Sequence, residues 1–301
     1  MDLQAAFRPS VLLTEVLFPY QTRPSIFTDS VERIAEAGFY RSVEIREVRL
    51  PAERRRIAKA AREHDLLVSM WMSAFLIENG LSISSLDEEQ RVKSVGLLKE
   101  QLDHAAECEA SRFAMIPGVD PGPQQRKAAQ EQLYISLCEL CEAAQRYGSM
   151  GIVLEPLDRD FDKNGVVGPT QEFVALVDRI RASFANMHVN WDTAHVALCG
   201  DDVFASLVAS RHVLNGIHLA NAVLDRDDPA AGDRHMPIGE PGFLTLGLVA
   251  DLFRKMQDIC LDQDCPISVE VRSQEGQDPW MMERQGREVL CQAWSLVDQE
   301  S

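Results

Sequence analysis

The amino-acid sequence predicts one domain, residues 1–301, folded as an eight-stranded parallel β/α barrel. Three observations lead to this prediction. Eight short apolar or β-branched runs alternate with longer stretches that have helical spacing, which indicates a parallel sheet with helices outside it. The short runs are almost continuously apolar, as expected for strands buried on both faces. The length of 301 residues is enough for eight β/α units.

The predicted strands cover residues 10–16, 42–48, 66–72, 112–118, 151–157, 188–194, 214–220 and 266–272. Segments with helical spacing lie at residues 26–39, 86–110, 123–148, 169–183, 243–259 and 280–297. The first of these segments ends near Gly38, a residue type that closes helices readily in the left-handed conformation. Residues 219–243 have neither pattern, so we expect an extended loop after strand seven.

A doubly wound open sheet is the alternative fold. In such sheets, a glycine-rich turn after an early strand commonly binds a nucleotide. Neither G-x-G-x-x-G nor G-x-x-x-x-G-K follows an early strand here, so the sequence does not support dinucleotide or P-loop binding.

The composition narrows the class of protein. With 46% hydrophobic and 26% charged residues, the chain has the composition of a globular protein. The net charge of −17 argues against nucleic acid and anionic membranes as partners, because both attract clustered Lys and Arg. No apolar run is long enough to cross a membrane, no signal-peptide pattern is present, and the seven cysteines show no disulfide framework. We therefore expect a cytoplasmic enzyme with reduced thiols.

Four potential metal ligands stand at the ends of four consecutive predicted strands: Glu155, Asp192, His218 and Glu270. Each alone has an ordinary structural explanation, as a solvated or paired carboxylate or as a core histidine. In a β/α barrel, however, the carboxyl ends of the strands form the active-site face. Three carboxylates brought together there repel one another unless a cation lies between them. The set predicts a site for one divalent ion, with Mn²⁺ expected and Mg²⁺, Co²⁺ or Zn²⁺ as alternatives.

His195 follows Asp192 by three residues, and two such positions lie on opposite faces of an ideal strand. The strand must therefore end at Thr193–Ala194, which places His195 in the following loop. From a loop, we expect His195 to bind a substrate oxygen beside the metal and not the metal itself. The alternative is a histidine that caps the next helix and has no functional role.

Five motifs, "VLEPL", "NWDTAH", "GIHLAN", "RHMPIGEPG" and "ISVEV", resemble the sugar isomerase/epimerase superfamily of xylose-isomerase-like TIM barrels. This superfamily includes ketose 3-epimerases, hydroxypyruvate isomerase and inosose dehydratase. The resemblance implies the same four metal ligands and a substrate-binding imidazole at His195. It also implies that Asp233, His235 and Gly239 shape the mouth after strand seven, with His235 near the substrate. Many barrels of this superfamily are dimers or tetramers, so the resemblance allows a homo-oligomer.

The sequence departs from the superfamily pattern in the second half. The motif after strand seven ends in Asn221, where members often have Asp. An Arg is usual six residues beyond the strand-seven His, but position 224 is Leu; Arg226 lies nearby and is our candidate for that substrate contact. In the first half, Trp71 is a candidate apolar wall for a sugar, and Glu44 and Arg46 either face the substrate or form a salt-bridged pair.

The resemblance implies a metal-dependent isomerase or epimerase that acts on a small carbohydrate through an enediolate. Glu155 and Glu270 would approach opposite faces of the substrate, one removing a proton and the other returning it. The same intermediate permits β-elimination, so a dehydratase or a lyase of 3-keto glycosides is the alternative, with His195 or His235 as general acid. A non-catalytic carbohydrate-binding barrel is the third option. The sequence does not separate these three.

Overall fold

The computed structural model describes residues 3–298, with no side chain described for the last of them. Eight parallel strands close into a barrel, as predicted. Each strand pairs with the next along the chain from β1 to β7, and β9 completes the ring between β7 and β1. The barrel strands are β1 (Arg8–Leu12), β2 (Ser42–Arg46), β3 (Leu67–Trp71), β4 (Ala110–Met115), β5 (Gly151–Leu154), β6 (Met187–Asp192), β7 (Leu214–Val223) and β9 (Pro266–Glu270).

Helices surround the barrel. They are α1 (Leu3–Ala6), α2 (Leu13–Val16), α3 (Ile26–Ala37), α4 (Pro51–His64), α5 (Ser73–Glu78), α6 (Glu88–Glu107), α7 (Arg126–Ala144), α8 (Thr170–Arg181), α9 (Thr193–Leu198), α10 (Val203–Ser210), α11 (Leu246–Asp258) and α12 (Pro279–Asp298). Short 3₁₀ turns occupy Phe18–Tyr20 and Gln145–Tyr147. Among residues 3–298, no helix is both long enough and apolar enough to cross a membrane.

The helical patterns predicted from the sequence correspond to α3, α6, α7, α8, α11 and α12. Helix α3 ends as expected, because Gly38 adopts a φ of 69° and its N–H bonds to the Ile34 carbonyl. Helix α4 was not predicted, because charged residues dominate its sequence. It begins at Pro51, whose fixed φ suits the first turn, and buries a narrow face that includes Ile57 and Ala61.

The structure differs most from the predicted boundaries at two places. Strand one was expected to reach residue 16, but the chain leaves the barrel after Leu12 and makes the helical turn α2. The expected extended loop 219–243 is instead partly a hairpin. Strand β7 runs on to Val223 and pairs antiparallel with β8 (Gly232–Met236), outside the barrel. The hairpin returns the chain over the carboxyl ends of the barrel strands, which positions His235 there.

The barrel strands place alternate side chains on opposite faces. Apolar residues such as Val43, Ile45, Phe113 and Ile217 are fully buried in the layer between the strands and the helices. The interior is different, because small and polar side chains fill its centre, below an apolar cluster. These polar residues are Ser10, Glu44, Ser69, Arg112, Asn190 and Ser268, all buried. The cluster above them consists of Leu12, Trp71, Ala114 and Val153.

Candidate metal centre

The barrel brings the four predicted ligands together. Glu155 directly follows β5, Asp192 and Glu270 are the last residues of β6 and β9, and His218 lies between them in β7. The strand register sets Asp192 beside His218 and Ala220 beside Glu270. One nitrogen or oxygen atom from each of the four side chains lies within 4.8 Å of the corresponding atoms of the other three, and all four residues are buried. The cluster has the size and composition that could hold one metal ion.

Two atoms of this cluster have no hydrogen-bond partner among residues 3–298. Nδ1 of His218 is one of them, although it lies 2.9 Å from Oε1 of Glu155 and 3.0 Å from Oε2 of Glu270. Oδ2 of Asp192 is also buried and receives no hydrogen bond from the part of the chain that is described. Buried polar atoms without partners are costly. Three carboxylates and an imidazole that face one point fit a divalent cation as the missing partner.

The electrostatics of the cluster also call for a positive charge. Burial, together with the Glu270 and Glu155 carboxylates, raises the pKa of Asp192 well above its usual range. Burial would lower the pKa of His218, but the carboxylates of Glu44, Glu155 and Glu270 raise it well above its usual range. A proton on His218 thus compensates part of the negative charge. A divalent ion at the same point would compensate it more completely.

His195 lies beside the cluster, on a helix and not in the expected loop. Helix α9 begins directly after the strand because Asp192 serves as its N-cap, with Oδ1 accepting the His195 N–H at 2.9 Å. Nδ1 of His195 lies 3.5 Å from Oδ2 of Asp158, which is fully buried. Although burial opposes it, the Asp192 and Asp158 carboxylates raise the pKa of His195 to about 10. The protonated ring lines the pocket, where it can donate hydrogen bonds. It is not one of the four residues of the ligand cluster.

His235 approaches the same centre from the hairpin. Its Nδ1 lies 2.7 Å from Oε1 of Glu270 and 3.6 Å from Oε2 of Glu15. Although burial opposes it, Glu270 and Glu15 raise the pKa of His235 to about 9. Glu15, His235 and Glu270 are close enough to hold a cation of their own. The guanidinium of Arg272 already bonds to Glu15, however, and supplies a positive charge there.

A pocket of about 280 Å³ opens above the cluster. Its lining has an apolar part and a polar part: the polar part includes the histidines and carboxylates described above, and the apolar part includes Leu12, Phe18, Trp71, Ile116 and Leu157. The Trp71 ring lies beside His218, with 5.0 Å between the ring centroids. Two cations reach the pocket, and both are paired, since Arg272 bonds to Glu15 and Nζ of Lys163 lies 3.4 Å from Oδ2 of Asp233.

Arg226 is not brought to this pocket. It lies at the protein surface, where its guanidinium stacks 4.2 Å above the Phe161 ring and donates to the Asp160 carbonyl at 3.0 Å. Its assignment as a substrate contact remains a prediction from the resemblance. Asn221 has a structural role, because its amide donates to the carbonyls of Pro237 and Gly239 and so holds the loop after the hairpin.

The sequence did not single out several residues of this site. Asn190 donates to Oε1 of Glu155 at 3.0 Å, and its position two residues before Asp192 on one strand was a usable signal. Asp158 gave no such signal, because it lies in an irregular loop. Arg46 bonds to Glu47 and Glu78, so of the two alternatives for Glu44 and Arg46, the salt-bridged pair is not the one that forms.

Residues 31–291 match the family model described as the xylose isomerase-like TIM barrel. The chain belongs to this family. A search of curated proteins by sequence gave no match.

Solved structures of other proteins share the fold. A D-psicose 3-epimerase from Clostridium cellulolyticum H10 superposes with a TM-score of 0.74 at 14% identity, over 97% of this chain and 99% of that one. The 3-keto-D-glucoside 4-epimerase YcjR from E. coli gives 0.67 at 17% identity, over 95% and 98%. The IolI protein, solved with a bound zinc atom, gives 0.67 at 15% identity, over 97% of each chain.

Proposed function

We propose that this chain is a metal-dependent sugar isomerase or epimerase, with Glu155, Asp192, His218 and Glu270 as ligands of one divalent ion. The observation that carries the proposal is the cluster itself. Ligand atoms at the ends of four barrel strands lie within 4.8 Å of one another beneath a pocket, and two of them have no hydrogen-bond partner in the described part of the chain. Mn²⁺ is the proposed ion, because oxygen-rich ligation with one imidazole suits it, and Mg²⁺, Co²⁺ and Zn²⁺ are the alternatives.

When bound, such an ion would act as a Lewis acid that polarises a substrate carbonyl and stabilises the negative charge of an enediolate. Glu155 and Glu270 supply the proton transfer. They reach Nδ1 of His218 from two different strand ends, at 2.9 Å and 3.0 Å, and in this proposal they flank the substrate carbon. One carboxylate removes the proton next to the carbonyl, and the other returns a proton to the opposite face.

Their surroundings keep both carboxylates in place. Asn190 donates to Glu155, whereas His235 lies against Glu270. The backbone N–H of His195 bonds to Asp192 and its Nδ1 lies 3.5 Å from Asp158, so Nε2 is the ring nitrogen that we assign to a substrate oxygen. This arrangement supports the assignment of His195 and His235 as substrate contacts.

The cationic side chains of the pocket are already paired, and this supports a neutral, polyhydroxylated substrate. Lys163 and Arg272 each have a carboxylate partner, so neither is free to receive a phosphate. The apolar part of the pocket lining, which includes the Trp71 ring, suits the C–H face of a sugar. A phosphorylated sugar would have to displace one of these ion pairs.

Elimination is the second candidate, and His235 favours it. Its imidazole lies 2.7 Å from Glu270, and its pKa of about 9 keeps a proton available on that side of the pocket. After Glu270 removes a proton, His235 could protonate a leaving group β to the carbonyl. The reaction would then be that of a dehydratase or of a lyase acting on 3-keto glycosides.

One experiment distinguishes these candidates. The Mn²⁺-loaded protein is incubated in D₂O with a panel of free ketoses and 3-keto glycosides, and the products are analysed by mass. Epimerisation conserves the mass, apart from one deuterium gained at the carbon next to the carbonyl, whereas elimination lowers it. Binding without turnover or exchange across the panel would contradict the enzymatic proposal and favour a carbohydrate-binding barrel.

A further inference from the structure

Glu44 lies in the middle of β2 with its side chain inside the barrel, beneath the ligand cluster. It is 1% exposed and does not line the pocket. Its carboxylate contacts side chains from four other strands: Ser10 at 3.0 Å, Ser268 at 2.7 Å, Trp71 at 2.6 Å and His218 at 3.1 Å. Neither a metal ligand nor a substrate contact would need all four.

The two oxygens of Glu44 have different partners. Oε1 accepts both serine hydroxyls, and Oε2 accepts the indole N–H of Trp71 and faces Nε2 of His218. Two serine hydroxyls and the indole N–H of Trp71, which can only donate, already point at the two oxygens, and this is the arrangement of an ionised carboxylate. An ionised carboxylate only accepts hydrogen bonds. Nε2 of His218 must therefore carry the proton of this contact.

The proton on Nε2 determines what the other ring nitrogen can do. With Nε2 bound to Glu44, the ring is held with Nδ1 between Glu155 and Glu270. Nδ1 is then the nitrogen whose lone pair can reach a cation. A histidine that binds a metal commonly donates its second N–H to a carboxylate, which fixes the tautomer and the orientation of the ring.

We infer that Glu44 is a positioning residue of the metal centre: it keeps Nε2 of His218 protonated and turns Nδ1 toward the three carboxylate ligands. This inference rests on the proposed metal site. Glu44 itself does not bind the ion, because its Oε2 is occupied by Trp71 and His218, and His218 separates it from the cluster.

The charge of Glu44 is compensated from below. Arg112 is fully inside the barrel, where its guanidinium donates to Ser69 at 2.8 Å, Asn215 at 2.7 Å and Asn190 at 3.2 Å. Because Oδ1 of Asn190 accepts from Arg112, its amide nitrogen is left to donate upward to Glu155. A polar layer beneath the cluster thus orients two of the four ligands.

Glu44→Gln tests the inference with little change of shape. The Trp71 N–H requires an oxygen at the Oε2 position, so the amide oxygen takes that place and the amide group donates to the rotatable serine hydroxyls. His218 then keeps an acceptor but loses the charge that stabilises its proton. The control is Ser268→Ala, which removes a hydrogen bond to the other oxygen and leaves the His218 contact intact.

Two measurements are made on the wild type and both variants, after thermal unfolding has shown that each is folded. The first is the affinity for Zn²⁺ alone, by competition with a chromophoric chelator. We expect Glu44→Gln to weaken it about 10- to 100-fold, as loss of such an outer partner does elsewhere. Ser268→Ala should change it less than about threefold. The second is ¹⁵N NMR of the histidine rings, which reports the protonation of His218 with or without metal.

The outcomes separate this inference from the proposed function. A proton on Nε2 of His218 in the wild type, with a displaced signal in Glu44→Gln, supports the positioning role. An unprotonated Nε2, or equal Zn²⁺ affinities of wild type and Glu44→Gln, would overturn that role alone and leave the metal site standing. A wild-type protein that binds no divalent ion would overturn the proposed metal site, and this role with it.

Discussion

Asp192→Asn is expected to leave the stability of the metal-free protein unchanged or higher, and to weaken metal binding strongly. The cluster holds three carboxylates whose ligand atoms lie within 4.8 Å of one another, and at that distance each pair of like charges repels by about 3.5 kcal/mol at an effective dielectric constant of 20. His195 and His218 offset part of this repulsion. Asparagine retains the oxygen that caps α9 but removes one charge. We therefore expect the metal-free variant to be at least as stable as the wild type.

The pH dependence should change with the same substitution. The pKa of Asp192 is raised in the folded protein, so its protonated form stabilises the fold at low pH, and this contribution is lost as the pH rises through the raised pKa. The contribution of Asp192 to the stability of the metal-free wild type should therefore decline as the pH is raised above about 4, the usual pKa of Asp. Asp192→Asn should lack this part of the slope in urea-unfolding measurements.

Addition of metal should make the wild type more stable than Asp192→Asn. At a free Mn²⁺ concentration of 100 times Kd, binding stabilises the wild type by about 2.7 kcal/mol. For a chain of this length, that corresponds to a rise in Tm of about 5 °C. Asp192→Asn has lost a charged ligand and should show almost no rise.

Asp202→Asn is the matched control, because Asp202 also caps a helix, accepting the Ala205 N–H at 2.8 Å, but lies outside the cluster. It should keep the full Mn²⁺ shift in a thermal scan. A wild-type shift in Asp192→Asn, or its loss in Asp202→Asn, would refute the assignment of Asp192 as a charged ligand.

Five further substitutions test other parts of the site and the fold. Glu155→Gln and Glu270→Gln should each lower turnover at least 10²- to 10⁴-fold, because base and ligand are lost together, and wild-type turnover in D₂O without deuterium uptake would count against both as bases. His195→Ala should keep near-stoichiometric metal while KM rises or kcat falls, and His218→Ala should lose the metal; the opposite pattern in elemental analysis would reverse the two roles. Burial, with Arg181 and Arg112, lowers the pKa of His188 from 6.5 to about 4, so the contribution of this residue should lower stability by up to about 3 kcal/mol as the pH falls from 6.5 to 4. His188→Gln should flatten that part of a urea-unfolding profile, and an unchanged slope would show that His188 is not its source.

The ligand cluster could be predicted from the sequence because barrel geometry converts a one-dimensional pattern into a three-dimensional one. Residues at the carboxyl ends of parallel strands meet at one face whatever the helices between them are. Glu155, Asp192, His218 and Glu270 needed only a correct strand assignment to be placed together.

Glu44 could not be placed in the same way. Its partners Ser10, Trp71, His218 and Ser268 lie between 27 and 224 residues away along the chain. A glutamate in a short apolar strand is equally consistent with an exposed end or an ion pair. Only the closure of the barrel shows that its carboxylate points inward and meets a histidine of β7.

Local sequence signals predicted loops at two places where the structure has a strand or a helix. The Asp and Pro residues of 225–233 are typical of loops, yet β8 forms nearby because its backbone pairs with the extension of β7, which the side-chain pattern does not reveal. If Asp192 is only a ligand, the sequence predicts a loop at His195, whereas the structure has a helix there. An Asp three residues before it is also an N-cap signal, and one oxygen of Asp192 caps α9 while the other faces the cluster.

The most direct test measures metal content and turnover on the same sample, through chelation and reconstitution. Purified protein should contain about one divalent ion per chain and lose it with its activity on treatment with a chelator. Both should return in parallel when Mn²⁺ is added, and neither should return in His218→Ala. Full turnover by protein shown to contain no metal would contradict a role for Glu155, Asp192, His218 and Glu270 as the ligands of a catalytic ion.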